Sequence, residues 1–183
     1  AVNAGSTQED DNQQGLAHFC EHMAFNGTKT WKGNDMIKYF EKAGIHFGEE
    51  INAYTSFDET VYMIELLSDN KDVFNNGFQV LEDWAGGLLF DSVEVEKERG
   101  VIIEEWRLGQ GAEERLNKQY WPILFKGSRY AERIPIGKKE VIESFRHNVL
   151  KQFYNDWYRP ELMAVVAVGD FDVNEVEKII KDR

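Results

Sequence analysis

Hydrophobic residues recur at helical spacing over most of the chain. Residues three and four apart share one face of a helix, which turns about 100° per residue. This spacing, together with glycine, aspartate or proline at the segment ends, predicts several helices. They cover residues 15–26, 35–42, 71–90, 91 to about 108, 138–157 (as one or two helices) and 170–181.

Four segments have the character of strands instead. Residues 51–56 and 60–67 are rich in β-branched and aromatic side chains, and the short polar stretch between them predicts a β-hairpin. The continuous apolar run 162–168 predicts a buried strand. Residues 1–4 look like the tail of a strand, so we expect the chain to be a piece of a longer protein.

The helix predicted after Gly15 has two faces of different character. Its apolar face is formed by Leu16, Phe19, Cys20 and Met23. His18, Glu21 and His22 project to the other side, within an arc of roughly 100°. Two histidines four residues apart on a helix can ligate one metal ion, and a glutamate between them is placed to take a proton from a bound water.

The order H-x-x-E-H is the inverse of the commoner zinc-peptidase motif. Five residues alone fit a surface helix with two solvated histidines equally well. A catalytic zinc site also needs a third protein ligand and one open position, so that ligand must come from another part of the chain.

The helix predicted from residue 91 offers two candidates, Glu98 and Glu105. Both lie in a stripe at core-facing spacing, whose other members are Val95, Val101, Ile102 and Leu108. A buried carboxylate needs a cation or strong hydrogen-bond donors. The two acids share one face two turns apart, so one can ligate the ion while the other supports the site. The spacing leaves open which acid binds, and it also fits an amphipathic helix whose acids pair with Arg99 or Arg107.

Composition and charge limit the classes of protein to which the chain can belong. The 183 residues are 42% hydrophobic and 13% aromatic, which is typical of a globular chain with a substantial core. The net charge of −12 argues against nucleic acid or an anionic membrane as a partner. The single cysteine excludes an intrachain disulfide, and no apolar run approaches the length of a membrane-spanning helix.

The motif and its surroundings resemble the pitrilysin-type zinc peptidases. This family includes insulysin, the β subunit of mitochondrial processing peptidase and bacterial periplasmic zinc proteases. The segments that carry the resemblance are residues 15–28 around the histidines, 52–56, 98–105, 135–137, 157–160 and 168–170. The likeness runs through the whole chain and is strongest to the bacterial members.

The resemblance implies a fold and a role for each site residue. The implied fold is α+β, a mostly antiparallel sheet with helices packed on it, as in metalloprotease/LuxS-like domains. By the family pattern His18, His22 and Glu105 ligate one Zn²⁺, Glu21 is the general base and Glu98 is the supporting acid. The segment that resembles the substrate-binding edge strand consists of Asn52, Ala53, Tyr54 and Thr55.

The resemblance also implies an organisation larger than this chain. Residues 1–183 correspond to the N-terminal, metal-bearing catalytic domain of a longer peptidase and lack its first strands. The expected partners are a peptide substrate and the remaining domains of the same polypeptide or a homologous subunit. An unpaired strand edge would favour self-association. The implied location is the bacterial periplasm or cell envelope.

We therefore expect a zinc metalloendopeptidase acting on peptides or small unfolded proteins, with the chain weak or inactive on its own. One alternative is a non-catalytic family subunit that serves as a binding or scaffold partner, against which the intact motif argues. Another is a metal-dependent enzyme for small molecules, since S-ribosylhomocysteine lyase also contains H-x-x-E-H. The edge strand and the downstream acid pair argue against that enzyme. A purely structural zinc site is disfavoured because three ligands leave one position open.

Overall fold

The computed structural model describes all 183 residues. Eight helices and one hairpin make up the fold. In chain order they are α1 (Leu16–Met23), α2 (Asp35–Lys42), β1 (Ile51–Thr55), β2 (Thr60–Ile64), α3 (Lys71–Gly86), α4 (Ser92–Leu108), α5 (Ala112–Leu124), α6 (Lys139–Ser144), α7 (His147–Trp157) and α8 (Val173–Asp182). Single 3₁₀ turns lie at Ser6–Gln8, Arg129–Ala131 and Pro160–Leu162.

Local capping explains where several helices begin. The Asp91 carboxylate accepts hydrogen bonds from the amides of Val93 and Glu94 at 2.9 and 3.3 Å, so α4 starts where the sequence pattern predicts. Asp172 caps α8 in the same way. The segment 138–157 forms two helices, and α5 lies in residues to which the sequence analysis assigned no separate helix.

The predicted hairpin is confirmed as an antiparallel pair. Its register runs from Ile51 opposite Ile64 to Thr55 opposite Thr60. Val2 adds isolated bridges to Thr60 and Met163. The outer edge of β1 has one isolated bridge, from Phe47 to Ile51, and no further strand along it. The α+β class is therefore confirmed, with a sheet that has only two full strands in this chain.

Helix α1 lies in the middle of the core. Its four predicted apolar residues are all fully buried, and it packs against α4, α7 and β1. The opposite side of α1 faces a surface formed with α4 and β1. None of the helices combines the length and the apolar character needed to cross a membrane.

Three predictions about secondary structure and burial were wrong. They concern the strand at residues 162–168, the end of α3 and the width of the buried face of α4. Residues 162–168 are not a buried strand. Met163 and Ala164 pair with the first residues, but Val166 and Val168 are 80% and 91% exposed. An apolar run becomes a buried strand only where another layer covers it, and no layer of this chain does so. Helix α3 ends at Gly86 rather than at residue 90, because Leu88 bridges to Thr28.

The predicted core stripe of α4 is also too wide. Val95 and Ile102 are fully buried, but Val101 and Leu108 are more than half exposed. At 100° per residue, Val101 and Leu108 lie about 120° and 140° around the helix from Val95. Only the middle of the stripe can therefore face the body of the protein.

Candidate metal centre

Helices α1 and α4 bring three ligand atoms to one point. The Nε2 atoms of His18 and His22 lie 3.1 Å apart. Oε2 of Glu105 lies 3.7 Å from the first nitrogen and 3.6 Å from the second. No other group of three histidine, cysteine or acidic side chains in the chain brings its ligand atoms this close together.

These three atoms fit one zinc ion. Ligand atoms in a tetrahedral zinc site lie about 2.1 Å from the metal, which places them about 3.4 Å from one another. The observed separations of 3.1, 3.6 and 3.7 Å lie around that value. Two imidazoles and a carboxylate are a ligand set typical of catalytic zinc. The Glu105 side chain is 49% exposed, so this side of the centre is open to water.

The centre carries negative charge that no lysine or arginine balances. Glu21, Glu98 and Glu105 surround it, and none of them forms an ion pair with lysine or arginine. Arg99 and Arg107 pair instead with other acids of α4. The alternative in which Glu98 and Glu105 pair with these arginines is therefore wrong. Carboxylates gathered in this way favour a bound cation.

Glu98 lies behind His22 and fixes its ring. His22 Nδ1 donates a hydrogen bond to Glu98 Oε1 at 2.7 Å, which leaves the Nε2 lone pair free for a metal. Asn26 Nδ2 donates to Glu98 Oε2 at 2.8 Å and to the His22 carbonyl at 3.1 Å. Sequence reasoning missed Asn26. The available signal was its position four residues after His22, one turn further along the predicted helix.

The two imidazoles are held differently. Burial and the charge of His22 lower the pKa of His18 to about 3, so the His18 ring is neutral and ready to ligate a metal. Burial also acts to lower the pKa of His22, but the hydrogen bond and the charge of Glu98 outweigh it and raise that pKa. His18 Nδ1 is buried and has no hydrogen-bond partner. No second side chain therefore anchors the His18 ring.

Glu21 lies beside the ligand atoms, with its carboxylate against β1. Thr55 Oγ1 donates a hydrogen bond to Glu21 Oε2 at 2.6 Å. Burial raises the pKa of Glu21, while the Thr55 hydrogen bond and the charge of His22 act to lower it. Sequence reasoning placed Thr55 on the substrate-binding strand but did not foresee its contact with Glu21.

The other residues predicted to bind substrate lie along the unpaired edge of β1. Asn52 and Tyr54 are exposed, and Ala53 is half-buried. The Ala53 amide donates a hydrogen bond to Asn52 Oδ1 at 2.9 Å, within the same strand. Tyr54 donates its hydroxyl to Glu59 in the hairpin turn. The edge therefore lies next to Glu21 without another strand across it.

The chain is similar to a known peptidase family and to proteins named zinc proteases. A family described as insulinase (peptidase family M16) matches residues 1–126, and a peptidase M16 inactive domain matches residues 144–183. The chain is 44% identical over 181 residues to a probable zinc protease PqqL of Escherichia coli (strain K12), covering 99% of this chain and 19% of that protein. It is 39% identical over 182 residues to a zinc protease PQQL-like of Arabidopsis thaliana, with the same coverage of 99% and 19%.

A solved structure is also similar over the whole chain. The first half of the periplasmic protease PqqL from Escherichia coli has a TM-score of 0.94 at 44% identity, covering 99% of this chain and 39% of that one. The chain spans about a fifth of the length of these two curated relatives.

Proposed function

This chain belongs to the insulinase family of peptidases (peptidase family M16), and we propose that it carries the catalytic zinc site of a metalloendopeptidase. The observation that carries the proposal is the convergence of His18 Nε2, His22 Nε2 and Glu105 Oε2 within 3.7 Å of one another. In this proposal His18, His22 and Glu105 ligate zinc, and Glu98 supports His22 from behind.

Glu21 is the general base in this proposal. Zinc at the centre would supply a Lewis acid towards water and the peptide carbonyl. The Thr55 hydroxyl holds Glu21 Oε2, while Oε1 makes no hydrogen bond. Oε1 can therefore accept a proton from the attacking water and later deliver it to the leaving amine nitrogen. A carboxylate held by one oxygen keeps its orientation during both transfers.

The proposed substrate is a peptide bound along β1. Beyond Ile51, which bridges to Phe47, the outer edge of this strand has no partner. The strand ends at Thr55, which contacts Glu21. A peptide that adds as a further strand would gain main-chain hydrogen bonds with little dependence on its sequence. This geometry favours peptides and small unfolded proteins over folded ones.

We propose that residues 1–183 form the N-terminal, metal-bearing domain of a longer polypeptide. The coverage of about a fifth of the relatives supports this organisation. Its remaining domains, or a homologous subunit, would complete the substrate chamber. The periplasmic relative supports a location in the bacterial periplasm or cell envelope.

The test is to compare zinc content and peptide cleavage in the full-length polypeptide and its Glu21→Gln variant. The amide cannot accept the proton, so we expect normal zinc content and a loss of cleavage by several orders of magnitude. Glu104→Gln is the matched control, since Glu104 pairs with Arg107 on the exposed side of α4. Zinc binding without cleavage in the unaltered protein would favour a non-catalytic subunit. Undiminished cleavage by Glu21→Gln would refute the assigned base.

A further inference from the structure

Glu9 is a fully buried acid that lies at the start of the metal-bearing helix. Its side chain is 0% exposed. Its Oε1 atom accepts hydrogen bonds from the amides of Gly15 at 3.0 Å and Ala17 at 2.8 Å. Neither the H-x-x-E-H motif nor the proposed mechanism uses this residue, and it lies nine positions before His18.

Helix α1 needs an acceptor from elsewhere because it cannot cap itself. The first amides of a helix have no partner within the helix, and a side chain at the residue before it usually accepts from them. That residue is Gly15, which has φ of +105°. A Cβ there would also lie 3.1–3.2 Å from Ile136, Gly137 and Ile142. Gly15 therefore excludes the usual capping residues, and Glu9 supplies the missing oxygen.

The main chain of Glu9 is held in place by two arginines. Arg133 Nε donates to the Glu9 carbonyl at 3.0 Å, and Arg129 also donates to it. Arg133 is itself buried, and its guanidinium donates to Asp11 at 2.6 Å. The segment around residues 129–133 thus fixes the position from which Glu9 reaches α1.

His18 is the ligand that depends on this cap. It is the third residue of α1 and so belongs to the first turn, where a helix frays most readily. His22 lies one turn further on and is anchored by Glu98, whereas His18 Nδ1 has no partner. The position of the His18 ring is therefore set by the backbone of the first turn.

We propose that Glu9 is a positioning residue for the metal centre, which holds the first turn of α1 so that His18 faces His22 and Glu105. The proposal rests on the metal centre proposed above. Capping requires an acceptor oxygen and not a negative charge. Glutamine at this position can accept the same two hydrogen bonds, whereas methionine fills a similar volume without an oxygen.

The experiment measures zinc affinity by competition with a chromogenic chelator in the intact protein and in three variants. We expect Glu9→Met to bind zinc about tenfold more weakly, the lower end of the range for residues that orient metal ligands. Glu9→Gln should stay within about twofold of the unaltered protein. Val73→Ala removes buried volume from α3 and serves as the control for a general loss of stability.

The visible absorption of bound Co²⁺ gives a second readout. It reports the arrangement of the ligands, so it should change in Glu9→Met and remain unchanged in Glu9→Gln and Val73→Ala. A general loss of stability would not produce this difference.

Unaltered zinc affinity in Glu9→Met, or an equal loss in Val73→Ala, would overturn the proposal. An equal loss in Glu9→Met and Glu9→Gln would overturn it as well, because the charge rather than the acceptor would then matter. If Glu9→Met does not fold, Glu9→Gln decides: affinity within twofold supports the proposal, and a larger loss overturns it. Absence of zinc binding by the unaltered protein would instead refute the metal centre itself.

Discussion

Replacement of Glu9 by glutamine should remove a large part of the pH dependence of folding stability. Burial raises the pKa of Glu9 from 4.5 to about 8, against the opposing effects of the Ala17 and Gly15 amides and the positive charge of Arg133. The folded protein therefore keeps a proton on Glu9 at pH values where the unfolded chain has lost it. Glutamine resembles the protonated acid and does not titrate.

The sign and size of the effect follow from proton linkage. Between pH 4.5 and about 8 the folded state binds one more proton at Glu9 than the unfolded state, so stability falls as the pH rises. The contribution of Glu9 is fully present below pH 4.5 and is lost as the pH passes about 8. At 1.36 kcal/mol per pH unit, the whole interval corresponds to about 5 kcal/mol, and the interval from pH 5.5 to 7.5 to about 2 to 3 kcal/mol.

The assay is urea unfolding of the unaltered protein and of Glu9→Gln at pH 5.5, 6.5 and 7.5, with a chelator present to keep both free of metal. Taking the difference between the two proteins at each pH cancels the titration of all other groups. The unfolding free energy of the unaltered protein should fall relative to that of the variant by about 2 to 3 kcal/mol over this range. A difference between the two proteins that does not change with pH would show that Glu9 is ionised throughout. The helix amides and Arg133 would then outweigh the effect of burial on its pKa.

Three further predictions concern the site. Glu105→Gln should lower zinc content strongly, whereas Glu98→Gln should lower it less; the reverse order would exchange the roles of ligand and support. Thr55→Val should lower kcat of the full-length protein about tenfold with zinc content unchanged, and Thr55→Ser should restore it, because the hydroxyl orients Glu21. An effect on KM alone would show that Thr55 contributes only to substrate binding. The 183-residue chain alone should cleave a generic peptide at least a hundredfold more slowly than the full-length polypeptide, because the closing half would supply binding and oxyanion contacts; comparable turnover would refute the two-half organisation.

The helices and the hairpin were largely predictable because their signals are local. The start of α4 follows from Asp91, whose carboxylate accepts hydrogen bonds from the amides of Val93 and Glu94. The faces of α1 follow from the 100° step between residues, which puts the two histidines on one side and a buried apolar surface on the other. Such patterns need no knowledge of the rest of the chain.

The parts that could not be predicted depend on how distant elements meet. Spacing alone left the roles of Glu98 and Glu105 open, since both lie on one face of α4. The structure brings Glu98 to Nδ1 of His22 and Glu105 to the Nε2 atoms of both histidines. The way α1 and α4 cross sets this difference, and no local sequence pattern predicts that crossing.

Different groups hold the two histidines of the metal centre in place. His22 is anchored by a side chain, because Glu98 fixes its ring and Asn26 fixes Glu98. His18 has no such anchor, so its position depends on the first turn of α1 and hence on Glu9. A short motif can therefore place two ligands on one helix, but it does not hold them. The face of α1 that packs into the core consists of apolar side chains, which cannot hydrogen-bond to the ligands. The groups that hold the ligands therefore come from an upstream loop and from α4.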